Sequence, residues 1–289
     1  MISFTGQNFD MPHTVPNLLC DRFVLRPQKL NSFITASKNM KDIINVTYLG
    51  GPTIILEIGG LRLITDPTLD PVGETFMIGD KPAYWKTSGP ATSEVGHIDA
   101  VLLSHDQHGD NLDHAGRRLL EAVGKTFTTP IGAERLDNNA TGLSPWETVR
   151  LNDQVTITGT PARHGPAGSE KLTGDVTGFI VESQGLQIYI TGDTVFYEGI
   201  REIASKYNPQ YVFIFAGAAK PRGPFNVTMG SNDAIDTASA FPNATIIPVH
   251  FEGWSHYTED AEVLQQSFTA LGIADRLRIL TPGEKTGLA

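Results

Sequence analysis

Three histidines and three aspartates lie within ten positions of one segment, residues 105–114. A mostly apolar run, residues 98–103, leads into this segment and predicts a buried strand. Neutral imidazole and carboxylate groups are the ligands that suit Zn²⁺ and its first-row neighbours. Burying so many ionisable groups at a strand end is unfavourable unless they bind something. The segment therefore predicts a metal site, and a solvated polar turn rich in histidine is the alternative.

Candidate ligands also follow three other predicted strands. The predicted strand at residues 154–158 is followed by His164, the strand at 186–190 by Asp193, and the strand at 244–249 by His250. Enzymes of the α/β class place their chemistry at the strand ends of a rigid sheet, so strand ends that all carry a ligand indicate a shared site. The expected metal ligands are therefore His105, His108, Asp110, His164, Asp193 and His250.

The elements that must position these residues belong to an α/β fold. Two β-rich runs, residues 53–58 and 61–65, flank a Gly-Gly pair and predict a hairpin. The second run ends at Asp66, which either holds a neighbouring loop or is an ordinary turn residue. Residues 67–97 contain aromatic residues but no clear period. A loop of this length is often functional, so we expect it to wall a substrate pocket.

The composition is that of a globular protein. The chain has 289 residues, of which 40% are hydrophobic and 19% charged, and its net charge is −10. One large domain is allowed at this length. No cluster of lysine and arginine stands out among the 22 basic residues. Tight binding to a long nucleic acid requires a basic surface, so the composition argues against a nucleic-acid partner.

The cysteine content and the apolar runs bear on the cellular compartment. Cys20 is the only cysteine, so no intrachain disulfide forms, which suits a reducing cytoplasm. The N-terminus lacks a basic segment followed by an apolar one, so we expect no secretory signal. The longest apolar run, residues 211–219, is far shorter than the roughly 20 residues that span a bilayer. We therefore expect a cytoplasmic protein without a membrane span.

The first part of the chain differs from the rest. Residues 1–40 carry three prolines and show no sustained period. We expect an N-terminal arm that packs on the body of the protein or on a second subunit, as in a homo-oligomer, and a flexible tail is the alternative. Residues 41–289 are then expected to form a single domain that holds the metal site.

The order of the candidate residues resembles the metallo-β-lactamase fold superfamily over about residues 44–283. The pattern of that family is an Asp after an early strand, an H-x-H-x-D-H loop, a later His, a bridging Asp and a final His. The residues that match here are Asp66, His105, His108, Asp110, His164, Asp193 and His250. The loop at residues 104–113 and the Thr-Met-Gly at 228–230 look like the branch of L-ascorbate-6-phosphate lactonase and N-acyl-phosphatidylethanolamine phospholipase D. The resemblance implies a four-layer αββα sandwich with metals at one edge between two sheets.

The chain departs from the family pattern at two positions. Two residues separate His105 from His108, where the family has one, and Asn111 stands where the family has its last histidine. The resemblance implies that His105, His108 and His164 form site one, and that Asp110 and His250 form site two with Asp193 bridging. The amide oxygen of Asn111 is a weak ligand for Zn²⁺. Site two is then loose, holds another metal or is empty, unless Asp106 or His114 compensates.

The resemblance implies a metal-dependent hydrolase that uses Zn²⁺, one or two ions per chain, with Mn²⁺ or Fe as alternatives. The metal lowers the pKa of its water towards about 7, and the resulting hydroxide attacks a lactone or ester carbonyl, or a phosphoester, of a small-molecule substrate. Asp110 would bind the second metal and orient the hydroxide. His256 is the candidate acid or substrate contact, and Asp66 and Asp113 would hold the ligand loops.

Other interpretations stay open at this point. Trp254 is expected to wall the pocket, and Lys220 and Arg222 to bind an anionic group, unless they are ordinary packing and solvated residues. A mononuclear iron oxygenase of the same fold is an alternative, because three histidines and a carboxylate also hold iron. Asn111 raises a third alternative, a degenerate, non-enzymatic metal-binding relative. The acidic composition opposes a nuclease.

Overall fold

A computed structural model describes residues 44–78, 81–137 and 140–288 of the chain. The expected arm, residues 1–40, lies outside the described residues. The strands are β1 (Ile44–Gly50), β2 (Thr53–Ile58), β3 (Leu61–Thr65), β4 (Thr75–Ile78), β5 (Lys81–Trp85), β6 (Ala100–Leu102), β7 (Thr126–Thr128), β8 (Ala140–Gly142), β9 (Thr148–Arg150), β10 (Val155–Pro161), β11 (Thr177–Ser183), β12 (Leu186–Ile190), β13 (Tyr211–Phe215), β14 (Thr245–Val249) and β15 (Lys285–Leu288). The helices are α1 (His114–Val123), α2 (Pro130–Leu136), α3 (Glu170–Thr173), α4 (Glu198–Lys206), α5 (Ser231–Ala240) and α6 (Ala261–Ala270).

The strands form two large sheets and a separate hairpin. The first sheet has seven strands in the order β15-β1-β2-β3-β6-β7-β8, and the second has six in the order β14-β13-β12-β11-β10-β9. Strands β4 and β5 pair with each other and form the hairpin. Residues 67–97 are therefore not the continuous loop that the sequence indicated.

The two large sheets pack face to face. Side chains from both contribute to one core, as Leu56 of β2 and Phe213 of β13 illustrate. Successive side chains of a strand point to opposite faces, so Phe179 and Val181 of β11 enter this core while Ile180 between them points outwards. Both faces of the second sheet are covered, which explains why β13 is apolar throughout.

Helices cover the outer face of each sheet. Ile203 of α4, Ala238 of α5 and Phe268 of α6 pack on the outer face of the second sheet. Leu120 and Val123 of α1 pack on the outer face of the first. The predicted α/β class and four-layer αββα sandwich are therefore confirmed. None of the helices formed by the described residues has the length and apolarity needed to cross a membrane.

Strand direction gathers the loops of interest at one edge of the sandwich. Strands β3 and β6 run parallel in the first sheet, and β12, β13 and β14 run parallel in the second. Strand β10 is antiparallel to β11, which is antiparallel to β12, so β10 runs in the same direction as β12. The segments that contain the candidate ligands follow the carboxyl ends of β6, β10, β12 and β14.

Candidate metal centre

The structure brings the six expected ligands together in two adjoining groups. Within each group, one nitrogen or oxygen of every member lies within 4.8 Å of the others. The first group consists of His105, His108, His164 and Asp193, and the second consists of Asp110, Asp193 and His250. Asp193 belongs to both groups, which is the arrangement that a bridging ligand requires.

The first group contains three imidazoles whose nitrogens face one another. His108 Nδ1 lies 2.9 Å from His105 Nε2 and 3.1 Å from His164 Nε2. Asp193 Oδ2 lies 3.5 Å from His164 Nε2. Ligands about 2.1 Å from a tetrahedral Zn²⁺ are separated from each other by roughly 3.4 Å, so these spacings fit one metal ion.

Backbone and side-chain acceptors fix the orientation of two of these imidazoles. His164 Nδ1 donates to the carbonyl oxygen of Val227 at 2.8 Å, which leaves its Nε2 free to act as a ligand. Ser104 donates its hydroxyl to Asp66 Oδ1 at 2.7 Å and accepts from His105 Nδ1 at 2.8 Å. Hydrogen bonds of this kind set the tautomer of metal-binding histidines.

The second group has fewer supports. His250 Nε2 lies 3.5 Å from Asp110 Oδ2 and 3.6 Å from Asp193 Oδ1. Neither ring nitrogen of this fully buried histidine has a hydrogen-bond partner among the described residues. A buried polar atom without a partner costs about 1–3 kcal/mol. A cation beside Nε2 and the two carboxylates would remove that cost for Nε2.

Asn111 contacts the bridging carboxylate instead of adding a histidine ligand. Its Nδ2 donates to Asp193 Oδ1 at 3.1 Å and to Ser104 Oγ at 3.4 Å. A carboxylate only accepts hydrogen bonds, so the NH₂ end of the amide must face Asp193. The amide oxygen of Asn111 is buried and has no hydrogen-bond partner in the described part of the chain.

Burial controls the protonation of the ligands. It lowers the pKa of His164 to about 3 and also lowers the pKa of His105 and of His250. Burial likewise lowers the pKa of His108, an effect that Asp110 opposes and the positive charge of Arg222 reinforces. These histidines are therefore neutral at pH 7, which is the form that binds metals.

The two carboxylates respond to each other. Burial and the negative charge of Asp110 raise the pKa of Asp193 well above its usual value. Burial alone would also raise the pKa of Asp110, but His256 and His250 hold it well below its usual value. Two buried carboxylates that disfavour each other's charge are the donor set that a divalent cation stabilises.

Two of the remaining expected residues support the ligand loop. Asp66 accepts from Ser104 N at 2.8 Å in addition to the Ser104 hydroxyl. Asp113 caps α1 by accepting from Gly116 N at 2.8 Å, and its other oxygen accepts from Asp70 N at 2.6 Å. Both carboxylates therefore hold the ends of the segment that contains the ligands.

Two residues considered as substitutes for the missing histidine lie elsewhere. Asp106 is buried, and its carboxylate pairs with Arg135 of α2, whose Nε lies 2.8 Å from Oδ2. The side chain of His114 is 62% exposed, lies 3.5 Å from Glu74 and stacks on Phe76. Neither belongs to a ligand group. The structure therefore does not support the idea that either residue compensates for Asn111.

A cavity of about 180 Å³ opens onto the ligands. His256 lines it, and its Nε2 donates to Asp110 Oδ2 at 2.9 Å. Arg222 and Lys220 are both exposed, but only Arg222 lines the cavity. Trp254 is buried behind Tyr84, with ring centres 5.9 Å apart, and does not line the cavity as expected.

Tyr84 is a cavity residue whose individual role the sequence did not indicate. It comes from β5, its hydroxyl accepts from Gly109 N at 3.1 Å, and its ring lies 4.5 Å from that of His256. Burial raises its pKa well above 10, so the phenol stays protonated. The only signal in the sequence was the aromatic content of residues 67–97.

Two residues at the centre have strained backbones. Asp66 has a φ of 30° and His250 a φ of 57°, in the left-handed region that residues other than glycine rarely adopt. Strain of this kind is concentrated at functional sites. Gly192 has a φ of 62°, and a Cβ there would lie 2.5 Å from the carbonyl oxygen of Thr177. The turn that presents Asp193 therefore requires glycine.

Comparisons with known proteins identify the family of this chain. A family model described as "Beta-lactamase superfamily domain" matches residues 61–251. A UPF0173 metal-dependent hydrolase of Pyrococcus furiosus is 27% identical over 252 residues, which cover 85% of this chain and 100% of the relative. The UPF0173 protein YddR of Bacillus subtilis is 24% identical over 254 residues, covering 83% of this chain and 98% of the relative.

A solved structure has the same fold. The isothiocyanate hydrolase from Delia radicum gut bacteria superposes with a TM-score of 0.74 at 24% identity, covering 85% of this chain and 99% of that protein. At this identity the likeness shows the fold alone. The family match spans Asp66 to His250 and so includes both ligand groups. The lactonase and phospholipase branch stays a prediction.

Proposed function

Because the chain belongs to the β-lactamase superfamily, we propose that it is a metal-dependent hydrolase that cleaves a lactone, an ester or a phosphoester in a small-molecule substrate. One observation carries this proposal. Two adjoining ligand groups share Asp193, and members of both groups line a cavity large enough for a small molecule. The names of relatives such as the Pyrococcus furiosus protein support the same reaction class.

The ligands fit Zn²⁺, one or two ions per chain, with Mn²⁺ or iron as alternatives. Nitrogen and carboxylate donors are typical of catalytic zinc sites. His250 Nε2, buried without a hydrogen-bond partner among the described residues, is the atom whose surroundings most clearly suit a cation. A divalent metal would supply a water of lowered pKa as nucleophile and a Lewis acid for the charge that develops on the substrate.

The protein's own residues divide the remaining tasks. His105, His108 and His164 stay neutral and present their lone pairs to the first site, while Asp193 connects the two sites. Asp110 faces the cavity and accepts a hydrogen bond from His256. We assign to Asp110 the orientation of the attacking water.

His256 is the proposed acid or substrate contact. The carboxylate of Asp110 only accepts hydrogen bonds, so the ring proton of His256 must lie on Nε2, at the cavity. As an acid, His256 would give this proton to a leaving group bound beside the ligands and keep a second ring proton on Nδ1. The ring is held between Tyr84 and Tyr257, with centroid distances of 4.5 and 4.6 Å, so its orientation is fixed.

Metal content per chain tests the proposal. The protein is purified without added metal, analysed for metals and assayed with lactones, esters and phosphoesters. About two zinc or manganese ions per chain, with hydrolysis of one class, is the expected result. The exposed His97 provides the control, because H97A should keep both the metals and the activity.

Other outcomes would change the assignment. One zinc ion with hydrolysis indicates a mononuclear hydrolase, and one iron ion without hydrolysis indicates the oxygenase. Metal without activity towards any substrate class indicates a degenerate relative. No metal, even after addition, would refute the metal centre. The cytoplasmic location and the homo-oligomer stay predictions.

A further inference from the structure

The loop between β13 and α5 forms one side of the cavity. Its tip contains two prolines and a glycine, Pro221, Gly223 and Pro224, which restrict and shape the backbone. Arg222 lies among them and lines the cavity. The fold therefore places a permanently charged guanidinium in the lining of the cavity that contains the ligands.

Both ends of this loop are attached to the reaction centre. Val227 N donates to the carbonyl oxygen of Ala219 at 2.9 Å and closes the loop. The carbonyl oxygen of Val227 accepts from His164, and Lys220 N donates to the carbonyl oxygen of His256 at 3.2 Å. The backbone that carries Arg222 is therefore fixed relative to a metal ligand and to the proposed acid.

Arg222 is the one lysine or arginine among the residues that line this cavity in the described structure. No carboxylate of the described residues pairs with it, whereas Arg135, Arg150 and Arg201 each pair with an acidic side chain. The metal ligand His108 lines the same cavity as Arg222. An unpaired guanidinium at this position is available to a ligand.

The size and lining of the cavity limit that ligand. Its volume of about 180 Å³ is close to that of a 150 Å³ cavity that holds benzene. Met77 and Val227 give it an apolar wall, while Asp110 and His256 occupy the side of the proposed reaction. A compact substrate would extend from the ligand groups to Arg222.

We propose that Arg222 binds an anionic oxyacid group, a carboxylate or a phosphate, on the substrate of this enzyme. This inference rests on the proposed hydrolase and specifies its substrate class as compact anionic esters or lactones. The planar guanidinium forms two parallel hydrogen bonds with either group. The anion anchors one end of the substrate and the bond to be cleaved faces Asp110 and His256.

Three methyl esters of similar size test the proposal with the metal-loaded enzyme. Monomethyl succinate carries a carboxylate, the methyl ester of phosphonoacetate carries a phosphonate, and methyl succinamate is neutral. Water converts each ester to its acid and methanol, which proton release measures. For wild type we expect a higher kcat/KM for at least one anionic ester than for the neutral one.

The variant R222Q separates the anion contact from the chemistry. It should lower kcat/KM for the preferred anionic ester by about 10- to 100-fold, the range for hydrogen bonds to a charged group. The neutral ester should change by less than about threefold, and R222K should fall in between. K220Q is the matched control, because Lys220 is exposed in the same loop but outside the cavity. The anion that loses more with R222Q identifies the oxyacid.

Equal effects of R222Q on all three esters, or no effect on any, would overturn the proposal. If wild type hydrolyses none of the esters, calorimetric titration of succinate and inorganic phosphate into metal-loaded protein decides the inference separately. Binding that is at least about tenfold weaker in R222Q, at unchanged metal content, supports the anion site. Equal binding to both proteins, or none to wild type, refutes it.

Discussion

The two ligand groups share Asp193 but differ in how the protein holds them. In the first group, Ser104 orients His105 and the backbone of Val227 orients His164. In the second group, His250 has no hydrogen-bond partner among the described residues. The fold therefore holds two imidazoles of the first group in place. In the second group, Asp110 and Asp193 accept from His256 and Asn111, but the imidazole of His250 has no such support.

This difference has a consequence for metal affinity. Hydrogen bonds from outside the ligand set typically change metal affinity or activity by about 10- to 100-fold. Neutral imidazoles held in place cost little to bring together around an ion. The second group instead needs the ion itself to offset the repulsion between Asp110 and Asp193. We expect the first site to fill at lower metal concentration than the second.

The largest expected effect comes from removing a ligand of the first group. H164A should lose the tighter metal, and kcat/KM should fall by about 10³-fold, because the metal contributes several kcal/mol of charge stabilisation. H250A should instead leave one metal per chain. Elemental analysis after dialysis and a substrate assay measure both quantities. H97A is the control for histidine content.

An identical loss of metal from H164A and H250A would contradict the expected difference in metal affinity between the two groups. It would show that the two groups bind metal as one cooperative unit. Chelator-treated wild type should match the circular dichroism of both variants, which excludes unfolding as the cause of the loss.

The sequence indicated the ligands but not the contacts that support them. Strand ends carrying His164, Asp193 and His250 could be recognised because a short run rich in β-branched or apolar residues precedes each one. Tyr84 could not be assigned a role, because β4 and β5 have only four and five residues and belong to neither large sheet. Long-range pairing decides the structure of such short strands.

The two residues between His105 and His108 also make long-range contacts that the sequence could not predict. The sequence identified the insertion but not its partner, because Arg135 lies 29 residues from Asp106 along the chain. Besides Asp106, Arg135 donates to Gln107 Oε1 at 2.9 Å. Gln107 Nε2 donates to the carbonyl oxygens of Thr173 and Asp175, both at 3.1 Å. The two spacer residues, Asp106 and Gln107, are thus held by hydrogen bonds, and the two imidazoles can still meet.

A smaller effect is expected when Arg135 no longer binds Asp106 and Gln107, a pair of contacts that we call the clamp. R135Q leaves the buried carboxylate of Asp106 without its partner and frees the spacer between the histidines. The affinity of the first site should fall by about 10- to 100-fold, while the second site changes little. R135K should restore part of the affinity, because it keeps the charge but not the planar fork.

Metal titration with a competing chelator measures this effect. R150Q is the matched control, because Arg150 forms an exposed pair with Asp153 away from the centre. Equal weakening of both sites would indicate a general loss of stability and would remove the distinction between the two groups. Unchanged affinity at the first site would show that the clamp does not position the ligands.

The smallest expected effect comes from changing Asn111, whose amide donates to the shared ligand Asp193. N111D keeps the size of the side chain but replaces the amide that donates to Asp193 with a third carboxylate. Without metal, the new charge beside Asp193 should lower the melting temperature. With Zn²⁺, the additional anionic donor should raise the affinity of the second group by about tenfold, since charged oxygen ligands bind better than neutral amides. The metal-induced increase in melting temperature should therefore exceed that of wild type.

The variant N111A completes this test, because it removes the hydrogen bond to Asp193 without adding a ligand. It should lower the melting temperature of the metal-free protein but leave the metal-induced increase no larger than in wild type. If N111D shows no larger increase than N111A, the side chain at position 111 does not reach the ion. The weakness of the second group would then lie in the unsupported ring of His250, whose Nδ1 has no acceptor among the described residues.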